Sequence, residues 1–183
     1  MKIIIITLAI LIIAIVMMYN FLVRKKNQVD NIYSNVEVIL KKRYDLLPNL
    51  FRVTEAIMKH ERALFSEVAS LRSEALNAKD TDLKLKLDSK LSNPLNGILV
   101  AIENYPELKS NKNVLHLQAS LVEIEEQISA ARRAYNQSVT DYNNAIEMIP
   151  TNILAKFLGY KQRDLYQAPS VILTTQAKDL LKK

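Results

Sequence analysis

The sequence predicts an all-α protein, in which an N-terminal transmembrane helix continues into an antiparallel helical bundle of three long helices plus a short C-terminal helix. Three observations predict this fold class: an apolar N-terminal run, apolar residues recurring every three or four positions, and few helix breakers. The 183 residues include only two glycines and five prolines. A spacing of three and four places apolar side chains on one face of a helix.

The N-terminal run, "IIIITLAILIIAIVMMYNFLV", extends from Ile3 to Val23. As a helix it would be about 31 Å long, close to the thickness of the hydrocarbon core of a bilayer. A cleaved signal peptide is the rival interpretation, but the run is long for one and no small-residue cleavage site follows it. We therefore expect residues 1–26 to be a retained anchor, with the lipid bilayer as a partner.

Basic residues end this anchor. Arg24, Lys25 and Lys26 follow the apolar run directly, whereas only Lys2 and the terminal amine precede it. The positive-inside rule therefore favours a single-pass protein whose C-terminal bulk is cytoplasmic. Of the net charge of +6, the first 26 residues carry +4. The nearly balanced remainder lacks the basic face that phosphate binding needs, so we expect no nucleic-acid partner.

Helical periodicity then continues through most of the chain. Its first stretch is one stripe of apolar positions interrupted only by Arg43 and His60, and the third is the most regular. Pro150 ends the third stretch, and Gly159 is placed to end the short fourth one. The predicted helical segments are 27–78, 83–105, 114–149 and 151–160. Residues 27–160 are thus predicted to form the bundle, and 161–183 a C-terminal tail without a predicted element.

Several motifs, in this order, resemble those of the LemA family. They are "YNFLVRKKNQV", "VILKKRYDLLPNL", "HE" at 60–61, "ENYPELK" at 103–109 and "ARRAYNQSVTDYN" at 131–143. The resemblance covers roughly residues 19–160, with Leu47 where the family often has isoleucine. It implies a bacterial protein of the cytoplasmic (inner) membrane, with one transmembrane helix, an all-α bundle and no established enzymatic activity.

No catalytic, cofactor-binding or metal site is predicted. His60 and Glu61 begin like a zinc-protease helix, but Leu64 stands where H-E-x-x-H needs its second histidine. His116 is the only other histidine and the chain has no cysteine. We therefore expect His60 to be a core histidine on the apolar stripe, hydrogen-bonded to a carboxylate.

Arg43 occupies an apolar-stripe position and has Asp45 close by in sequence. Two interpretations remain open. The stem could cover apolar surface while the guanidinium reaches water, or the residue could form a buried ion pair that fixes helix register.

A repeated Tyr-Asn pair is a further polar feature, because Tyr135–Asn136 and Tyr142–Asn143 lie two helical turns apart on one face. Core packing of the rings, with each hydroxyl finding a partner, is one interpretation; a groove for another helix is the other. The remaining polar or motif positions singled out are Asn49, Glu103, Tyr105, Pro106 and Arg132.

Pro48 raises a question of length. It cannot donate a backbone hydrogen bond to the carbonyl of Tyr44, so the helix should bend or restart there. If residues 83–105 fold back on 27–78, they cover the latter only to about Thr54, leaving the stripe from Ile32 to Leu50 without a partner. The rest of the chain, a break at Pro48 or other copies of the protein could cover it. We favour a kink with self-association, hence a homo-oligomer containing a coiled-coil seam.

Two functions are consistent with these features. The first is a non-enzymatic, membrane-anchored scaffold or adaptor that self-assembles and could bind other membrane or cytoplasmic proteins. The second is a membrane-tethered sensor or ligand-binding bundle with a polar cluster around Arg43, His60 and Glu103. The two differ in whether these side chains line a cavity that solvent can reach.

Overall fold

The structure, a computed structural model, describes residues 1–168; part of the predicted tail, 169–183, lies outside the described residues. All regular structure in the described part is helical, which confirms the all-α prediction. The helices are α1 (Lys2–Thr54), α2 (Arg62–Asn77), α3 (Thr81–Ile102), α4 (Pro106–Lys109), α5 (Lys112–Glu147) and α6 (Thr151–Phe157), with a 3-10 helix at Lys59–Glu61. The second, third and fourth predicted segments correspond to α3, α5 and α6.

The first predicted segment is two helices rather than one. The chain leaves α1 after Thr54, turns at residues 55–58 and resumes as α2 at Arg62. The turn is held by the amide of Met58, which donates to the carbonyl of Thr54, and the Met58 side chain is fully buried. The helix does not restart at Pro48, which lies inside α1; the favoured alternative, a kink there, stays a prediction.

The chain forms two compact units, and the division falls within α1 and within α5. The first unit contains residues 1–41 and 125–165, and the second contains 42–124 together with residues 166–168 of the described chain. Each unit is therefore assembled from parts of the chain that are far apart in sequence.

In the first unit, α5 packs antiparallel to α1. The Tyr33 and Tyr135 ring centroids are 6.2 Å apart, and Lys25 Nζ lies 2.8 Å from Asp141 Oδ2. The Tyr142 and Tyr160 rings also make contact, at 6.2 Å. Since α5 follows α1 in the opposite direction, the third predicted segment supplies cover that the second is too short to provide.

The expectation that the stripe before Pro48 lacks a partner is therefore wrong. Val36 and Leu40 are each 1% exposed, and Leu47 and Leu50 are fully buried. Of the three possible covers, the rest of the chain is the one observed, rather than the favoured other copies of the protein. With the stripe buried inside the chain, it gives no support to self-association.

In the second unit, α2 and α3 form a hairpin. Asp80 caps α3 by accepting a hydrogen bond from the amide of Leu83 at 2.9 Å. A Cβ at Gly97 would lie 3.2 Å from Leu64 Cδ1, so glycine allows the two helices to approach closely. The Phe51 and Phe65 rings add an edge-to-face contact with centroids 5.2 Å apart.

The N-terminal part of α1 is exposed throughout residues 1–17. Its most apolar window has a mean hydropathy of 2.8, and by length and composition α1 could cross a membrane. Exposure of so many isoleucine and leucine side chains to water would be unfavourable. This pattern fits a helix whose natural surroundings are lipid.

Candidate functional site

A closed cluster of polar side chains lies in the core of the second unit. We call it the Arg43–Asp88 cluster, and it consists of Arg43, Tyr44, Asp88, Ser92 and Tyr166. Each of these residues is at most 2% exposed. Helix α1 supplies the first two, α3 the next two, and the irregular segment after α6 supplies Tyr166.

The centre of the cluster is an ion pair. Arg43 Nη1 lies 3.3 Å from Asp88 Oδ1 and 3.2 Å from Asp88 Oδ2, while Arg43 Nη2 donates to Ser92 Oγ at 3.0 Å. A charge this deeply buried is tolerated only when it is paired and hydrogen-bonded. Of the two interpretations of Arg43, the observed one is a buried ion pair. Its partner is Asp88, whereas Asp45 is exposed.

Two tyrosines complete the shell of Asp88. Tyr44 donates to Asp88 Oδ1 at 3.2 Å, and Tyr166 donates to Asp88 Oδ2 at 2.6 Å. Burial, and after it the negative charge of Asp88, raises the pKa of the Tyr166 phenol above its ordinary value of 10.0. The phenol therefore stays protonated and acts as a hydrogen-bond donor to the carboxylate.

The way α1 continues through Pro48 is visible beside this cluster. In a regular helix the amide of residue 48 would donate to the carbonyl of Tyr44, and proline has no amide hydrogen. Arg72 of α2 fills this role, because its Nε donates to the Tyr44 carbonyl at 2.7 Å. A side chain from α2 thus satisfies the acceptor that the proline leaves, and α1 does not end there.

The Tyr-Asn repeat of α5 holds the irregular segment in the first unit. Tyr142 donates to the carbonyl of Lys161 at 3.0 Å. Asn143 donates to the carbonyl of Arg163 and accepts from its amide, both at 3.0 Å. The Arg163 side chain pairs with Asp30 of α1 at 2.6 Å. Tyr142, 3% exposed and with its hydroxyl bonded, matches the core-packing interpretation, whereas the binding of the backbone after α6 by Asn143 was not predicted.

The first Tyr-Asn pair and Arg132 lie closer to the N-terminus of α5. Tyr135 is fully buried, with its ring against Tyr33, whereas Asn136 and Arg132 are half-buried. Tyr135 therefore belongs to the core of the first unit. Asn49, by contrast, is an exposed residue of α1.

The remaining polar motif residues lie at or near the surface of the second unit. His60 is exposed in the 3-10 helix, so the expectation of a core histidine is wrong; the turn after Thr54 removes it from the stripe. Tyr105 donates to Glu61 Oε2 at 2.8 Å, and this bond raises the Tyr105 pKa. Glu103 is exposed and pairs with Lys109 at 2.8 Å. Pro106 opens α4 at its first turn.

These positions bear on the two functions. Arg43 is buried and fully engaged, whereas His60 and Glu103 are exposed, so the three do not form one solvent-reachable polar site. An open groove of about 780 Å³ in the second unit is lined mainly by α2 and α3, and by none of these three residues. Among residues 1–168, no group of three or more His, Cys, Asp or Glu side chains is arranged to hold a metal ion.

Sequence reasoning missed Asp88, Ser92, Arg72 and Tyr166. A signal for Asp88 was present, because it stands on the apolar face of α3 between Leu85 and Leu91, as Arg43 does on α1. Opposite charges on the apolar stripes of two helices that pack together suggest an ion pair between them. Tyr166 had no such signal, because its segment has no periodicity.

The fold and the cluster define a class of protein: an all-helical chain with a membrane-compatible N-terminal helix and a polar core that is closed to solvent. The sequence profile of the LemA family matches residues 32–178. This is most of the chain, and the chain therefore belongs to the LemA family.

Individual relatives share about a quarter of their aligned residues with this chain. Magnetosome protein MamQ 2 of Paramagnetospirillum magneticum is 27% identical over 179 residues, covering 84% of this chain and 66% of that protein. Magnetosome protein MamQ of Magnetospirillum gryphiswaldense is 26% identical, covering 83% and 65%. Protein LemA of Metamycoplasma hominis is 26% identical, covering 83% and 70%. The chain thus spans about two thirds of the length of the MamQ proteins.

Proposed function

We propose that this protein is a non-enzymatic, membrane-anchored adaptor whose folded bundle binds partner proteins at the membrane surface. The observation that carries the proposal is the continuity of α1 from Lys2 to Thr54. One helix contains both the apolar stretch and the buried residues Arg43, Tyr44 and Leu47 of the bundle. No loop separates anchor from bundle, an arrangement suited to holding a binding surface at the bilayer.

The closed cluster supports the non-enzymatic part of the proposal. A catalytic group has to reach substrate, and the Arg43–Asp88 cluster is buried and internally hydrogen-bonded. Membership of the LemA family and similarity to MamQ proteins point in the same direction. Nothing favours the ligand-binding alternative, since two of its three residues lie exposed and apart from the buried one.

A comparison of two aspartate variants tests the adaptor role. Full-length protein in its native membrane would be crosslinked, extracted in mild detergent, purified by a tag and analysed by mass spectrometry. We expect specific partners with the wild type and with Asp45→Ala, which changes an exposed residue. Asp88→Ala should recover them less efficiently, because it destabilises the bundle by about 3–5 kcal/mol while leaving the apolar anchor intact. Equal recovery of the same proteins with Asp88→Ala would contradict the proposal.

We further propose that the membrane is the bacterial cytoplasmic membrane and that the bundle faces the cytoplasm. Arg24, Lys25 and Lys26 after the apolar stretch support this orientation. The chain has no cysteine, so Val38→Cys would give a single thiol at an exposed site on α1. A membrane-impermeant maleimide should label it only after the cells are permeabilised. Labelling of intact cells would reverse the proposed orientation.

A further inference from the structure

An exposed apolar surface lies at the junction of α5 and α6. We call it the α5–α6 corner and define it by Met148, Ile149, Ile153 and Phe157. These side chains are 62%, 83%, 66% and 92% exposed, respectively. Single exposed apolar residues are common in soluble proteins, but four clustered at one corner indicate an interaction surface.

The corner is one face of an amphipathic element. Ile153 and Phe157 are four residues apart in α6, the spacing that aligns side chains on a helix, and Ile149 lies in the turn just before α6. Ala155, on the other side of α6, is 2% exposed and packs inward. Helix α6 therefore buries one face in the first unit and presents its larger apolar residues outward.

The register of α5 against α1 places this corner near the end of the apolar stretch. From the Tyr33–Tyr135 contact to the Lys25–Asp141 pair, α1 runs back eight residues while α5 advances six. Helix α5 continues from Asp141 to Glu147, about 9 Å more along its axis. Its end is thus level with about residue 18 of α1, inside the apolar run that ends at Val23.

Contacts and burial in the first unit agree with this register. Leu22 is fully buried and Met18 is half-buried, whereas residues 1–17 are exposed throughout. Tyr160, just after α6, has its ring 5.7 Å from Lys26 Nζ. One face of the last turns of the apolar stretch is therefore covered by protein, and the corner lies beside them.

The charges around the corner match a bilayer surface. Residues 148–163 include Lys156, Lys161 and Arg163 and contain no aspartate or glutamate, while Glu147 and Asp164 flank the stretch and Arg163 pairs with Asp30. Lys156 and Lys161 are exposed, as is Arg24 at the end of the apolar run. An apolar face flanked by basic side chains is typical of helices that lie in the interface of membranes containing anionic lipid.

We propose that the α5–α6 corner inserts into the interfacial region of the bilayer that α1 spans, as a second point of membrane contact. This inference rests on the membrane anchor of the proposed function. The corner shares a unit with the end of the anchor and lies at its level, so lipid is the surface nearest to Ile149, Ile153 and Phe157. A second copy of the chain is the competing occupant.

Single tryptophans can measure the depth of each position, because the chain has none. Phe157→Trp and Ile153→Trp report on the corner, and their exposure means that the larger ring should fit. Ile10→Trp reports on the anchor. Val38→Trp, at an exposed apolar residue of α1 about 22 Å beyond Val23, is the matched control in water.

Full-length protein would be placed in phosphatidylcholine–phosphatidylglycerol vesicles, at no more than one protein per vesicle, with lipids brominated at different acyl positions. We expect quenching of Phe157→Trp and Ile153→Trp to be strongest for shallow bromines, at about 5–10 Å into the interface. Ile10→Trp should respond to deep bromines and Val38→Trp to none.

The outcomes separate the possible failures. If Ile10→Trp is quenched while both corner tryptophans behave like Val38→Trp, the inference is wrong and the anchor remains. If Ile10→Trp is not quenched, the anchor itself fails. A blue-shifted corner tryptophan that brominated lipid does not quench would mean that protein covers the corner, which also overturns the inference.

Discussion

Ion pairs occur in both units, and the second unit holds a buried one, Arg43–Asp88, besides the exposed Glu103–Lys109 pair. In the second unit, the Arg43 and Asp88 side chains are 2% and 1% exposed. In the first, the corresponding values are 25% and 32% for Lys25–Asp141 and 28% and 50% for Arg163–Asp30. The same type of contact therefore has different consequences, because desolvation makes the buried pair costly to break and solvent makes the exposed pairs weak.

Motif residues of this chain include both buried core residues and exposed surface residues. The arginine and proline of "KKRYDLLPNL" belong to one core arrangement, in which Asp88 neutralises Arg43 and Arg72 completes the helix around Pro48. Histidine and glutamate motif residues lie outside that core. Motif membership alone therefore does not identify a chemical site in this protein.

The largest expected effect is that of Asp88→Ala. The change leaves the Arg43 guanidinium buried without its counter-charge, and we expect it to lower the free energy of unfolding by about 3–5 kcal/mol. Denaturant unfolding of the full-length protein in detergent, followed by circular dichroism, measures it.

Two variants control this experiment. Asp45→Ala changes an exposed aspartate two residues from Arg43 and should stay within about 0.5 kcal/mol of wild type. Replacing both members of the pair, Arg43→Met with Asp88→Leu, removes the unpaired charge and should recover part of the loss, because Tyr44 and Tyr166 still lack their acceptor. Equal effects of Asp88→Ala and Asp45→Ala would show that the buried pair does not stabilise the core.

The second effect concerns Tyr166 and depends on pH. Tyr166→Phe removes a hydrogen bond to a charged acceptor and should cost about 1.5–3 kcal/mol at neutral pH. Because folding raises the Tyr166 pKa above 10.0, its contribution is complete below that pH and is lost as pH rises toward the folded-state pKa. The unfolding free energy of wild type should therefore fall more steeply above pH 10 than that of Tyr166→Phe.

Tyr105→Phe is the matched control for this prediction. Tyr105 makes the same kind of bond, to Glu61 at 2.8 Å, but outside the core. We expect its removal to destabilise the protein less than Tyr166→Phe. The reverse order would contradict the assigned difference between buried and half-buried tyrosine–carboxylate pairs.

The third effect tests the substitute hydrogen bond at Pro48. Arg72→Ala removes the donor to the Tyr44 carbonyl and should cost about 1–3 kcal/mol. In a Pro48→Ala background the backbone amide of residue 48 can supply that bond, so the same change should cost less. A double-mutant cycle would measure this coupling, which we expect to be about 1 kcal/mol. Additive effects would mean that Arg72 stabilises the protein in another way.

Periodicity predicted the helices better than their partners. The predicted segments 83–105 and 114–149 closely match α3 and α5, because apolar spacing is a local property of the sequence. Apolar spacing could not predict how α1 continues through Pro48, because Arg72, which supplies the missing donor, is 28 residues away from its acceptor. Arg43 was recognisable as a charge on an apolar stripe, whereas its partner depends on the register between α1 and α3. Tyr166 is 78 residues from Asp88, and their contact depends on the path of an irregular segment, which apolar spacing does not predict.

The smallest expected effect is that of Lys25→Gln, which removes the exposed pair with Asp141. Lys25, and after it Gln137, holds the pKa of Asp141 below its usual 3.8 by hydrogen bonding. Such a pair contributes at neutral pH and is lost as pH falls through the lowered pKa. Water around both groups limits the contribution of this pair to the free energy of unfolding to about 0.2–1 kcal/mol. The difference between wild type and Lys25→Gln would be measured by denaturant unfolding at pH 7 and in acid, each at low and high salt. Added salt should reduce the difference further. A loss as large as that of Asp88→Ala would mean that this pair is shielded from solvent, and the contrast between the two units would not hold.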